Sequence, residues 1–251
     1  MININNYEKR FLVCLSFNGA AYCGWQVQRT GLSIQQVVQG AIEKVLNFKP
    51  SLVACSRTDS GVHANSFYFH FDLNVNIQPE RFKFALNLKL PDDVAVKFVK
   101  EVDFSFHARY CAKRKEYIYK IWNSRDKNPF LKNLVWCYSR KIDLEKIAVA
   151  AKALLGTHDF TSFCSLKSKV ANKIRTVFLI DFKFDGEILV FRIVGNGFLH
   201  NMVRIVVGTL IEVSEGLIAV DSLEKILSLK NRKLVGRTAP ARGLYLNQVF
   251  Y

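Results

Sequence analysis

Hydrophobic and polar positions along the chain follow two periods. Residues 11–17 are densely apolar and β-favouring and predict a strand, which the Asn18-Gly19 pair closes with a turn. After Ser33, a fitting N-cap, the residues Ile34, Val37, Val38, Ala41, Ile42, Val45 and Leu46 recur at the helical period. Residues 52–55 read as a short strand and 57–64 as a polar loop with a central glycine. Phe67, Phe69 and Phe71 then alternate with Tyr68, His70 and Asp72, the pattern of a strand buried on one face. Pro79 opens a helix running through Leu88, and residues 94–99 form a further strand.

The rest of the chain repeats this grammar loosely. Residues 117–122 predict a strand. Asp143 caps a helix through Leu155 that Gly156 ends, and residues 177–184 and 188–194 flank an Asp185-Gly186 turn as a hairpin. Residues 202–213 form a largely apolar helix, 221–229 a shorter one, and 246–250 a closing strand. Two similar halves, 1–105 and 106–251, each mixing strands and helices, predict an α+β architecture with antiparallel sheets.

Composition supports a folded protein: of 251 residues, 50% are hydrophobic and only 5 are proline, which leaves little room for long linkers. The net charge of +15 is uneven, with +2 before residue 106 and +13 from there on. A basic surface concentrated in one half suits a polyanion, because neutralised phosphates release counterions. The six cysteines form no CxxC pair, which argues against a zinc site and for free thiols in a reducing cytoplasm. The first residues lack a basic-then-apolar signal, and the most apolar stretch, 202–213, is too short to span a membrane and is interrupted by Arg204 and Glu212.

The polar loop gathers a carboxylate, a guanidinium, two hydroxyls and an imidazole within eight residues. Taken bare, such a loop is usually structural, its short polar side chains satisfying backbone donors. The complete string Arg57-Thr58-Asp59-Ser60-Gly61-Val62-His63-Ala64, however, resembles the catalytic signature of the tRNA pseudouridine synthase A family. Further segments match that family in order: Tyr22, Gly24, Trp25 and Gln26; Phe106-His107-Ala108-Arg109; Tyr117-Ile118-Tyr119; Gly156-Thr157-His158-Asp159-Phe160-Thr161-Ser162-Phe163; Phe198-Leu199-His200-Asn201-Met202-Val203-Arg204; and Ala241-Arg242-Gly243-Leu244-Tyr245-Leu246. The likeness covers residues 7–251. Ser60 and Arg242 depart from the usual residues.

This resemblance implies two α/β halves sharing an extended, mainly antiparallel sheet with a central basic cleft, a homodimer, and tRNA as partner, read at its anticodon stem-loop. It also implies isomerisation of uridine to pseudouridine without a nucleotide cofactor or metal. Asp59 would be the catalytic carboxylate, attacking the anomeric carbon or removing a proton from the neighbouring sugar carbon. Both roles need an ionised carboxylate. Arg204 would pair with it; a lone cation in an apolar helix calls for a partner. Tyr117 would stack on the detached uracil or shuttle a proton, and Leu244 would pack on the base. Arg57 would hold the target nucleotide outside the stem. His63, His107 and His158 are read as structural or RNA-contacting. A non-catalytic RNA-binding module would account for the charge but not for the acidic signature. A pseudouridine synthase of another family would lack this string, and a metal hydrolase would need clustered ligands.

Overall fold

The computed structural model describes residues 8–251; the N-terminal signal reading therefore lies largely outside the described residues. In chain order the elements are β1 (Lys9–Phe17), α1 (Ile34–Leu46), β2 (Val53–Ala54), β3 (His63–Leu73), α2 (Pro79–Asn87), β4 (Val94–Val102) and β5 (Arg114–Trp122). There follow β6 (Trp136–Cys137), α3 (Leu144–Lys152), β7 (Gly156–Asp159), β8 (Ile174–Asp185), β9 (Ile188–Gly195), α4 (Met202–Ser214), α5 (Leu223–Leu229) and β10 (Leu244–Phe250). The class is α+β. The chain divides into two compact units, one ending at Lys113 but regaining Leu246–Tyr251, the other Arg114–Tyr245. The division thus falls past residue 105, and the last strand returns to the first unit.

In the first unit the strand order is β4-β1-β3-β10, with β2 on β3. β1 pairs antiparallel with both neighbours, Val13 lying opposite Phe69 on one side and Val99 on the other. Ser33 and Gln36 form a capping box at the start of α1, each side chain taking up a backbone N–H that the first helical turn leaves unpaired. Phe11, Phe71 and Phe82 meet at centroid distances of 5.7–6.1 Å and join β1, β3 and α2 into one core. The alternation in β3 predicts burial of one face, yet Tyr68 and His70 are buried as well. The second face is covered by Phe98, Phe106 and Tyr251, whose rings lie 5.4–6.5 Å from Tyr68 or His70. These covering groups come from distant parts of the sequence, so a local pattern cannot register them.

In the second unit the order is β5-β9-β8-β7, antiparallel throughout, with β6 parallel to β5. The β8–β9 turn lies at Gly186-Glu187, one residue beyond the expected position. Gly186 takes the positive φ (57°) while Asp185 stays in the ladder opposite Ile188. Gly156 does not end α3 directly: the helix stops at Lys152, and Gly156, at φ 95°, opens β7. α4 is buried on nearly every side, as its almost unbroken apolar sequence requires. Among the described residues no helix is long and apolar enough to cross a membrane.

Candidate active site

Asp59 lies on the loop of residues 55–62 between β2 and β3. The loop is held mainly through its backbone by the segment 19–25. Trp25 N–H donates to the Thr58 carbonyl (3.3 Å), and the Tyr22 carbonyl accepts from Gly61 N–H (3.2 Å) and the Ser60 hydroxyl (3.3 Å). Val62 N–H closes the turn on the Asp59 carbonyl at 3.2 Å. Two glycines make this approach possible. A Cβ on Gly24, whose φ is 97°, would stand 2.4 Å from the Thr58 carbonyl oxygen, and one on Gly19 only 1.9 Å from that of Val62.

The bracing segment is itself fixed. Trp25 stacks on Phe67 at 4.3 Å, and the Tyr22 hydroxyl donates to Asp93 Oδ1 at 2.5 Å. Burial, and then the hydrogen bond to Asp93, push the Tyr22 phenol well above its ordinary pKa, so it stays a donor. His63, 1% exposed, accepts the Gly19 N–H on Nδ1 at 3.1 Å, a structural role that leaves this nitrogen unavailable as a base. Arg57 is exposed and its guanidinium makes no hydrogen bond or ion pair among the described residues. The neighbouring Thr58 Oγ1 is buried without a hydrogen-bond partner among the described residues.

In the second unit Arg204 reaches the stretch 239–244, Leu244 ends it, and Tyr117 stands two residues before Tyr119, which reaches it as well. Arg204 stands in the first turn of α4. Its Nε donates to the Ala239 carbonyl (2.7 Å) and its Nη1 to Asn201 Oδ1 (2.9 Å), while Ala239 N–H returns a bond to the Arg204 carbonyl (3.0 Å). Gly208 lets this stretch lie against the helix, since a Cβ there would sit 2.0 Å from the Arg237 carbonyl oxygen. One residue further, the Pro240 carbonyl accepts from the Tyr119 hydroxyl at 2.7 Å, and Gly243 packs on the Tyr119 ring. Burial raises the Tyr119 phenol far above its ordinary pKa and keeps it protonated for that bond.

Tyr117 and Tyr119 share one face of β5, two residues apart. Tyr117 is 6% exposed and meets Phe198 edge-on at 5.2 Å. Leu244, equally buried, follows Gly243 directly and begins β10. Asn201, in the left-handed region at φ 62°, spends its side chain on Arg204 instead of capping α4. The sequence pointed to Arg204 but not to Ala239, whose carbonyl orients it, nor to Gly208 and Pro240, which help to seat the stretch that carries that carbonyl. The signal for Phe198, Asn201 and Gly243 was present, since all three lie in strings that resemble the family. His107 and His158 are tied to the backbone, His107 Nδ1 accepting from Arg109 and Tyr110 and His158 Nε2 lying 2.6 Å from the Leu155 carbonyl.

Comparison with known proteins shows which family the chain resembles. A family profile described as tRNA pseudouridine synthase matches residues 13–111 and 150–251. A protein of Geobacillus sp. (strain WCH70) named tRNA pseudouridine synthase A is 42% identical over 97% of this chain and 99% of its own length. Proteins of the same name from Acetivibrio thermocellus and Bacillus subtilis (strain 168) are 43% and 40% identical, over 94% and 96% of this chain and 97% and 99% of theirs.

Proposed function

Because the chain belongs to the tRNA pseudouridine synthase family, we propose that it isomerises uridine to pseudouridine in tRNA, with Asp59 as the catalytic carboxylate. The reaction breaks the bond between the anomeric carbon and uracil N1, turns the base, and joins the same carbon to uracil C5. The C5 proton is lost and N1 gains one, so atoms balance with no net oxidation and no cofactor is consumed. Asp59 either adds to the anomeric carbon or takes the proton from the adjacent sugar carbon; each path requires it ionised and held still. The observation that carries the reading is the braced loop: two glycines and four hydrogen bonds fix the backbone on both sides of one carboxylate.

The remaining roles follow from the chemistry of the side chains. Arg204 is a catalytic-support residue, its guanidinium oriented by Ala239 and Asn201. Tyr117 offers a ring face and a phenol to the detached uracil, and Leu244 an apolar surface. Arg57, exposed at the rim of the loop, grips the displaced nucleotide or its phosphate. The substrate uridines lie on the 3′ side of the anticodon stem-loop, and the enzyme works in the cytoplasm as a homodimer with a basic cleft.

Tritium at uracil C5 is released when the new carbon–carbon bond forms. Wild-type protein should release it from labelled tRNA, and Asp59→Ala should not, while still binding tRNA, since backbone contacts supply most of the affinity. Near-normal turnover by the variant would falsify the assignment of Asp59.

A further inference from the structure

The connection between β7 and β8 in the second unit is a basic loop whose charges no internal partner explains. It carries Lys167, Lys169 and Lys173, and the sequence holds no acidic residue between Asp159 and Asp181. None of the three lysines makes an ion pair among the described residues. Some exposed cations of this unit are answered locally, Lys146 by Asp143, Lys230 by Asp159 and Arg192 by Glu116, and no acidic side chain of the loop itself could do the same for its three lysines. Apolar side chains stand among the lysines. Leu166 is 82% exposed, and Val170 and Ile174 are exposed as well. Cations interleaved with bare aliphatic groups match a strand of phosphates, sugars and bases better than water alone.

The loop does not hang free. Its entry is fixed by Phe160 and Phe163, both fully buried, and its exit by pairing of Asp159 with Ile174. Phe160 N–H donates to the Lys173 carbonyl at 3.1 Å, and Arg175 Nη1 folds back on the carbonyls of Asn172 and Ile174. Ser165 N–H donates to the His200 carbonyl at 3.0 Å. That last bond ties the loop to the turn of residues 196–201, the same turn that sets Phe198 against Tyr117 and Asn201 against Arg204. A phosphate held by the loop is thereby referenced, through rigid backbone, to the residues that handle the base.

We infer that residues 165–175 are an RNA-backbone grip, in which Lys167, Lys169 and Lys173 neutralise phosphates of the bound RNA while Leu166 and Val170 cover an adjoining sugar or base. The inference rests on the proposed tRNA substrate and adds to it the surface that seats it. Its contribution is to binding; the chemistry stays with Asp59.

The test uses full-length protein with Lys167, Lys169 and Lys173 all changed to Ala, against a control in which the exposed Lys44, Lys49 and Lys89 of the first unit are changed to Ala. Both lose three positive charges, so general attraction of the polyanion falls alike. With unmodified tRNA, the loop variant should bind at least ~10-fold more weakly at about 100 mM salt, and its slope of log affinity against log salt should flatten by about two to three. Its single-turnover rate at saturating tRNA should remain within about threefold of wild type, a rise in KM without loss of kcat. The control should stay within about threefold of wild type in affinity. Equal weakening in both variants, or an unchanged salt slope in the loop variant, overturns the inference. If wild type binds tRNA but makes no pseudouridine, the proposed function fails instead, and the binding comparison still judges the loop.

Discussion

The Asp59 loop and the stretch 239–244 both lie mostly outside the main helices and strands, yet they are held by opposite means. The loop is fastened mostly through its own main chain, to a segment that two glycines bring within van der Waals reach. The stretch 239–244 is fastened by side chains of regular elements, Arg204 from α4 and Tyr119 from β5, reaching its carbonyls. The difference separates scaffold from chemistry in one region and merges them in the other. The four hydrogen bonds that brace the loop run through main-chain groups and the Ser60 hydroxyl. Arg204, by contrast, binds its own scaffold and is also proposed to meet the substrate side.

The sharpest break is at the glycines. Gly24→Ala puts a Cβ 2.4 Å from a carbonyl oxygen at a positive φ, and the neighbour is backbone that cannot swing away. We expect a loss of about 2–4 kcal/mol in stability and of at least ~100-fold in turnover as the loop is displaced. Gly40→Ala, within α1 where nothing lies within 4 Å, should instead stabilise by about 0.5–1 kcal/mol. Urea melts of the two variants set the scale, and a harmless Gly24→Ala contradicts main-chain fastening.

Next in size is Arg204→Lys. The ammonium keeps the charge but cannot serve Ala239 and Asn201 with the same fork. Single-turnover rate should fall by about 10–100-fold and stability by about 1 kcal/mol, with tRNA affinity changed less than about threefold. An unchanged rate with collapsed affinity makes Arg204 an RNA-gripping residue. Tyr117→Phe keeps the ring against Phe198 and removes only the hydroxyl. If the ring face is what the uracil needs, the rate falls less than about tenfold, whereas a loss beyond ~100-fold identifies the phenol as the proton carrier.

The smallest effect concerns the scaffold of the first unit. His70 is held well below its ordinary value, from 6.5 down to about 4, by burial first and then by the nearby Arg10 and His107 charges. Its Nδ1 accepts the Ala108 N–H at 3.1 Å, which requires the neutral ring. A depressed base favours the fold above its unfolded pKa. As pH falls below 6.5 the unfolded chain binds the proton first, and the destabilisation grows until about pH 4, where the folded ring protonates too. His70→Gln, which can still accept that hydrogen bond, should lose less stability than wild type between pH 7 and 4; parallel urea midpoints would show that His70 is not the group responsible.

Legibility in the sequence divides along the same line. The Asp59 loop was readable because its signature is contiguous, and Gly24 and Tyr22, which brace it, belong to a second readable string. Arg204 stood out as a cation in an apolar helix, and the structure supplies it with main-chain and amide oxygens. Those acceptors were invisible because every residue carries a carbonyl and only the fold says which one is near. β6 and β7 span two and four residues, too short for a period to register. The second buried face of β3 escaped for a related reason: Phe98, Phe106 and Tyr251 reach it from elsewhere in the chain. The turn at Gly186-Glu187 shifted by one residue because a single glycine can serve either position of a two-residue hairpin.

The central claim is that Asp59 supplies the chemistry while the fold and the RNA grip lie elsewhere. Asp59→Asn, nearly the same shape without the charge, tests it in one preparation: tRNA affinity and single-turnover pseudouridine formation measured side by side. The account predicts affinity within about threefold of wild type and a rate lowered by at least ~10⁴-fold. A variant that forms pseudouridine at a comparable rate, or that loses binding and rate together, contradicts it.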